Sequence, residues 1–502
     1  MVEGLRFTRK RFLGVGAAAW ASLAGLDVRG ALAAALPAGV ESVGYVSRPD
    51  LKPPLITFGT PANDTAPGYI FLAPFNISAG SGTYTTTPNS QSHSGPLVVD
   101  NTGEPVWFLP FGSTTAIGLR VQKYQGRRVL TWYEGTVLGA EGGSFFIYDP
   151  TYHQVSHVQA GRGRHGDLHD FLITPEGTAL ITIYGQINAD LTSIGGPASG
   201  PLVTGIVQEI DIPTGKVLLE WRSQEHVPIT ETYVPQASPP ANNYDYFHLN
   251  SIDVDTDGNL IISGRNTSTI YKIDRRTGEI IWRLGGKSSD FDVAPDASFA
   301  FQHDARRRPD GTVTIFDNNA AFPTDKTFSR GMRVKLDMKK MKATLVKEYL
   351  APTPRTVFAM GNVQQLDDGG VMIGWGAAGS FTELGPDGSV RLDASFADGQ
   401  VTYRAFRFEL DAAPKGIPAT EVVANGDGSL TLYVSWNGAT KVAKWQLLVG
   451  ETAATLKPAG TVRRSGFETA IRLPVTSGTV SVVALDAEGT KLRTAAPTVL
   501  RA

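Results

Sequence analysis

FHLNSIDVDTDGNLIISGRNTSTIYKIDRRTGEIIW, residues 247–282, decides how the rest of the chain is read. It contains two pairs of short apolar runs. The inner pair, 250–263, turns at Asp257 and Gly258; the outer pair, 270–282, turns at Thr277 and Gly278. Apolar and polar residues alternate along each run, the period of a strand. Glycine at each turn supplies the positive φ that a tight hairpin needs.

Both units recur on either side of this stretch. Outer-type pairs fall at 96–107, 145–158, 206–221, 332–349 and 381–392, and inner-type pairs at 119–133, 170–184, 305–317 and 363–375. About six outer units alternating with inner units predict a six-bladed β-propeller. One small antiparallel sheet cannot bury both faces alone, and closing a ring of them does so. A sandwich array or a solenoid competes with this reading. The unequal insertions 186–203 and 227–246 favour the propeller, where they would be loops on one face. No long 3.6-residue apolar stripe follows residue 40.

Composition agrees. The chain has 502 residues, with 55 glycines and 31 prolines, more than helical bundles tolerate. Hydrophobic residues make up 41% and charged residues 19%, enough apolar material for a large core. A net charge of −2 leaves no basic field for nucleic acid, so an anionic small-molecule substrate requires a local positive site. There is no cysteine, which excludes disulfides, thiolate catalysis, Cys-ligated zinc and iron–sulfur centres.

The two ends read differently. Arg6, Arg9, Lys10 and Arg11 precede a short, weakly apolar run, and Ala31, Leu32 and Ala33 supply a small-residue cleavage pattern. Residues 8–13, TRKRFL, resemble a twin-arginine export signal with lysine in place of the second arginine, an ordinary secretory signal being the alternative. We expect 1–35 to be that signal and the mature protein to be exported, with no transmembrane segment beyond it. Residues 36–411 would then form the propeller. From 412 a linker-like PKGIP (414–418) leads into short strands at 429–436, 443–449, 467–473 and 479–485, expected as an immunoglobulin- or fibronectin-like β-sandwich over 412–502.

Four of the eight histidines, His165, His169, His248 and His303, stand where an inner unit begins. If the units are blades of one ring, His169, His248 and His303 converge near its axis. Arg265 ends the inner pair that His248 starts, and its guanidinium suits a tetrahedral oxyanion. Three histidines and an arginine make a site for a sulfuryl or phosphoryl group, with neutral histidine as nucleophile and charged histidine as acid. A single histidine next to aspartate is as often a hydrogen-bonded structural residue. A three-histidine zinc site is the sharper competitor, and Arg265 opposes it. Asp170 and Asp304 are expected to orient the adjacent strands or rings. Arg306, Arg307 and Arg308 are expected in a solvated turn or an ion pair between blades, with Arg306 able to reach the channel. His93, His153, His157 and His226 read as surface residues. Trp132, Tyr133, Tyr184, Tyr246 and Phe247 could stack on an aromatic substrate or fill the core.

Several segments resemble the PAPS-independent arylsulfate sulfotransferases, in the shorter branch found in many bacteria and fungi. They are DLHDF (167–171), TGKVLLEWRS (214–223), FHLNSID (247–253), TSTIYKID (267–274), WRLGGK (282–287) and FQHDA (301–305). The opening YVSRPDLKPP (45–54) fits as well, and the likeness spans most of 45–410. It implies a six-bladed propeller that moves a sulfuryl group from a phenolic sulfate ester to a phenol acceptor. It implies a sulfated His303, with His248, Arg265 and His169 holding the group or moving protons. His248, Arg265, Phe247 and Tyr184 are the expected substrate contacts. The scheme is ping-pong and needs no metal or nucleotide cofactor. The chain departs from the best-known members in lacking their N-terminal sandwich and a cysteine pair, and in its C-terminal sandwich. Two rivals are a quinoprotein-like dehydrogenase, suggested by the Thr-Gly…Trp units, and a non-catalytic extracellular binding propeller.

Overall fold

Residues 44–76, 92–112, 114–136, 142–235, 244–320 and 328–500 are described by a computed structural model, and the expected export signal lies outside them. The protein is all-β: among these residues the helical segments are short 3-10 turns, and no helix is long and apolar enough to cross a membrane. Gly258 and Gly278 stand at φ +83° and +81°, where their hairpins reverse.

Among the described residues, six mainly antiparallel sheets follow one another along the chain. The fourth shows the pattern: Leu249–Val254, Leu260–Gly264, Thr269–Ile273 and Ile280–Gly285 pair in sequence order. Its inner two strands are the 250–263 unit and its outer two the 270–282 unit. The second sheet begins at Thr115–Tyr124, the third at Phe171–Ile173, the fifth at His303–Arg307 and the sixth at Asn362–Gln365. The first sheet is composite. Phe406–Phe408 pairs with Tyr69–Leu72, followed by Leu97–Val99 and Pro105–Phe108. Ile56–Thr60 adds a fifth strand to the outer edge of the sixth sheet. Both ends of the ring segment are thereby sewn into sheets built mainly from the other end.

Each sheet packs on the next through its inner strands, and the sixth returns to the first where Val371–Gly374 meets Phe406–Phe408. The interfaces are apolar, with Ile252, Leu260, Ile262 and Tyr271 wholly buried between the third and fourth sheets. Each such aliphatic side chain contributes roughly 1.5–3 kcal/mol. Trp221, in the last strand of the third sheet, donates its indole N–H to Gly278 O at 3.0 Å and so latches onto the neighbouring Thr-Gly turn, a packing role for this copy of the repeat.

The insertion 186–203 is not a loop. It prolongs Thr178–Ala189 and Gly200–Asp211 into a long hairpin tipped by the 3-10 turn Thr192–Ile194. Residues 419–500 form two further sheets around one core that includes Leu432, Trp445, Val482 and Ala484. This unit is fastened to the outer strands of the first sheet. Asn437 brackets Phe108, accepting from its N–H at 2.9 Å and donating to its C=O at 2.8 Å, and Gly438 N–H donates to Val106 O at 2.8 Å.

Candidate functional site

The inner strands are irregular near the common axis. Register slips between Leu249 and Ser251, between His303 and Arg306, and between Ile117 and Arg120. Such bulges re-aim side chains beside active sites. His248 and Asp304 stand at φ +56° and +54°, a strained conformation for residues with a Cβ. Local bonds hold it: His248 N–H donates to Asp245 Oδ1 at 3.0 Å, and Arg265 N–H to His248 O at 3.0 Å.

Around the axis the rings form a chain. His248 and His169 have centroids 5.0 Å apart, His169 and Tyr403 5.6 Å, and Tyr403 and His303 6.2 Å. Tyr184 stacks on His169 at 5.0 Å and meets His248 edge-on at 5.5 Å. His169, His248 and His303 are all buried. Arg265 donates to Asn266 Oδ1 at 2.9 Å and Phe358 O at 3.1 Å, with its guanidinium 4.7 Å from the Phe301 ring centre.

Each imidazole is oriented by a different group. His169 Nδ1 lies against Asp167, and His248 Nδ1 is 2.5 Å from Asp245 Oδ2. His303 Nδ1 is 2.6 Å from Asn318 Oδ1. The Asn318 amide donates to Val357 O at 2.8 Å and Met360 O at 2.9 Å. Its oxygen must therefore accept from His303 Nδ1–H, which leaves the Nε2 lone pair as an acceptor. That lone pair receives the Met360 N–H at 3.2 Å. His303 is thus fixed as the neutral tautomer a nucleophile requires.

Burial, reinforced by Arg265, pushes His303 well below the usual imidazole range. Burial, then His169 and Arg265, does the same to His248, so His248 is not a standing proton donor. Burial also raises the Asp245 carboxyl to about 7. Asp167, Asp245 and Asn318 orient the rings, whereas Asp170 and Asp304, expected to orient strands or rings, bond to the backbone of neighbouring inner strands at Ile252 and Val363.

Asp170 and Asp304 also anchor a buried ionic knot. Asp170 accepts from Arg306 at 2.7 Å, Arg404 at 2.9 Å and Arg120 at 3.3 Å, and from the backbone N–H of Ile252 at 2.9 Å. Asp304 accepts from Arg306 at 2.9 Å and from Val363 N–H at 3.1 Å, with Arg404 Nε 3.2 Å away. Arg404 also donates to Asn250 O at 3.0 Å. The knot joins all six sheets or their connecting strands. Asp253 also faces Arg306, so the three guanidiniums of the knot are met by three carboxyl groups. Arg306 accordingly lies in the interior, and Arg307 pairs with Asp255 at 2.8 Å.

The other expected residues fall elsewhere. Phe247 is wholly buried in the core, 5.4 Å from Tyr271 and 5.9 Å from Trp221, not in the ring cluster. Trp132 packs on Trp107 and Tyr148, and Tyr246 bonds to Val227 O at 3.2 Å. His165, His153 and His157 are exposed, whereas His93 and His226 are half-buried, the latter stacked on Trp221. Tyr403, Asn318 and the aspartates on the rings escaped the sequence reading. Spacing betrays two of them, since Asp167 and Asp245 precede their histidines by two and three residues. No group of histidine and carboxylate side chains among the described residues is arranged to hold a metal ion.

Comparison with known proteins bears on this site. No curated protein matches the chain. Among solved structures, a Bacteroides caccae protein of unknown function is 12% identical, covering 68% of this chain and all of its own, at a TM-score of 0.39. The periplasmic gluconolactonase PpgL of Pseudomonas aeruginosa is 13% identical over 86% of this chain and 96% of its own, at 0.33. A virginiamycin B lyase of Staphylococcus aureus is 11% identical over 76% and 96%, also at 0.33. At these scores none carries weight for chemistry. The family model for arylsulfotransferase (ASST) matches residues 120–397, which include His169, His248, Arg265 and His303. With more than half of its length matched, the chain belongs to the arylsulfotransferase family.

Proposed function

We propose that the protein is a PAPS-independent arylsulfate sulfotransferase that works by a ping-pong mechanism through a sulfohistidine at His303. The observation that carries this reading is the fixed tautomer of His303, whose Nε2 lone pair is kept available in a buried centre where Arg265, His248 and His169 act on it electrostatically. Family membership supports sulfuryl transfer as the chemistry.

In the first half-reaction Nε2 of neutral His303 bonds to the sulfur of an aryl sulfate as the sulfur–oxygen ester bond breaks. The Met360 N–H yields its place on the lone pair. Arg265 and His248 stabilise the sulfuryl oxygens. The departing phenolate takes a proton from His169, whose Nδ1 rests on the Asp167 carboxylate. His248 is the weaker choice for that proton because burial holds it neutral. In the second half-reaction a phenol returns the proton to His169, its oxygen takes the sulfuryl group, and His303 leaves as the neutral imidazole. Tyr184, stacked on His169, is the aromatic residue best placed to touch the phenol ring.

The six sheets are read as blades of one propeller over 36–411, with 412–502 as a fibronectin- or immunoglobulin-like sandwich. Export, by the twin-arginine route, belongs to the same proposal, as do a phenolic sulfate donor and a phenol acceptor. The test is intact mass after mixing the protein with p-nitrophenyl sulfate and no acceptor, beside His303→Ala. One added sulfuryl mass, absent in the variant and discharged by phenol, is the expected result. No adduct and no nitrophenol burst with several aryl sulfates refutes the mechanism and favours a non-catalytic binding propeller.

A further inference from the structure

Tyr403 is the one ring of the axial cluster to which the reaction above gives no part. It is 1% exposed and its hydroxyl has no hydrogen-bond partner among the described residues. A buried, unpaired hydroxyl is costly and calls for a reason. A phenylalanine would fill the same space without that cost.

The main chain that carries the ring is fixed. Tyr403 C=O accepts from Gly361 N–H at 3.0 Å, and Thr402 Oγ1 donates to Arg404 O at 2.8 Å. Arg404 is locked into the ionic knot, with its guanidinium 5.1 Å from the Tyr403 ring centre. Tyr403 is thereby held between His303 and His169, the two histidines between which the transferred group must lie.

We propose that Tyr403 is a further substrate-contacting residue, its phenol donating a hydrogen bond to an oxygen of the sulfuryl group while that group is on or near His303. The inference rests on the sulfotransferase reading above. A group held between the nucleophile and the proton donor reaches the oxygens around sulfur, and the choice of sulfate donors separates that contact from one to the leaving phenol oxygen. Burial raises the Tyr403 hydroxyl far above its ordinary range, so it stays a proton donor throughout the working pH range. No proton is transferred from it, and the O–H remains intact through both half-reactions.

The experiment is rapid-quench measurement of both half-reactions for wild type and Tyr403→Phe, with p-nitrophenyl sulfate and phenyl sulfate as donors. The expected result is a loss of about 10- to 100-fold in both half-reactions, as for a hydrogen bond to a charged group. The loss should be equal for the two donors, because the sulfuryl group is common to them. Inorganic sulfate should weaken as an inhibitor, and the melting temperature should hold or rise. Unchanged rates overturn the proposal, and so does a loss larger for phenyl sulfate, which would put the hydroxyl on the leaving oxygen. A wild type that takes up no sulfuryl group overturns the parent reading and this one together. A wild type that does so at the same rate as the Phe variant overturns this one alone.

Discussion

Replacing Asp170 by asparagine tests whether the ionic knot holds the site in place. The change keeps the shape and removes the charge. Asp170 is wholly buried and receives three guanidiniums, from Arg306 at 2.7 Å, Arg404 at 2.9 Å and Arg120 at 3.3 Å. Two backbone N–H groups add to these, from Ile252 at 2.9 Å and Phe171 at 3.0 Å. With asparagine, three guanidiniums face only the carboxyls of Asp304 and Asp253, and an amide N–H₂ points at donors. Breaking a buried pair by removing one partner costs about 3–5 kcal/mol. In a cooperative unit of several hundred residues that lowers Tm by roughly 4–6 °C. Asp170, Asp304 and Arg404 directly follow His169, His303 and Tyr403, so a loosened knot displaces the rings. Displacements of about 1 Å cost on the order of 100-fold in rate. The arginines hold the Asp170 carboxyl well below the usual carboxylate range. Its contribution is therefore complete above the unfolded carboxylate pKa of about 3.9 and is lost only as the pH falls below it. Calorimetry of both proteins should show a constant deficit from neutral pH down to mild acid, closing in strong acid, and single-turnover assays should show the slower transfer. A Tm shift under about 1 °C with unchanged rate would refute the clamp, since the magnitude rests on desolvated pairs.

The remaining predictions concern the rings and the arginine. His303 is held well below its ordinary pKa, so as the pH falls below about 6.5 the unfolded chain binds a proton that the fold refuses. Wild type should then lose up to about 1.4 kcal/mol per pH unit relative to His303→Gln, with no divergence above neutral pH; parallel stability curves would contradict the buried neutral imidazole. Arg265→Lys keeps the charge but cannot serve Asn266 Oδ1 and Phe358 O together. Steady-state kcat/KM should fall about 100- to 1000-fold, as when one oxyanion donor is lost, and activity within threefold of wild type would remove Arg265 from the sulfuryl site.

The hairpins were legible because their causes are local. In 250–263 and 270–282 the alternation, the turn glycines and the strand lengths all lie within a few residues of one another, and their pairing matches that pattern. The convergence of His169, His248 and His303 was expected from their equal places in the repeat; His169 and His248 meet with Tyr184, and His303 joins them through Tyr403. Phe247 shares the local signal of its neighbour His248, yet adjacent residues at a strand start point opposite ways, and it went to the core.

Strand period, turn position and the histidines at strand starts are local choices, each set by residues close together in the chain. The pairing of distant segments depends on the closed ring. Phe406–Phe408 pairs with Tyr69–Leu72, and nothing near either strand specifies the partner; burial of the sixth sheet against the first does. Asp170 meets arginines 50, 136 and 234 residues away. Charges that read as solvated in a linear chain become paired because closing the ring removes water from the axis, and a charge left there must find its opposite.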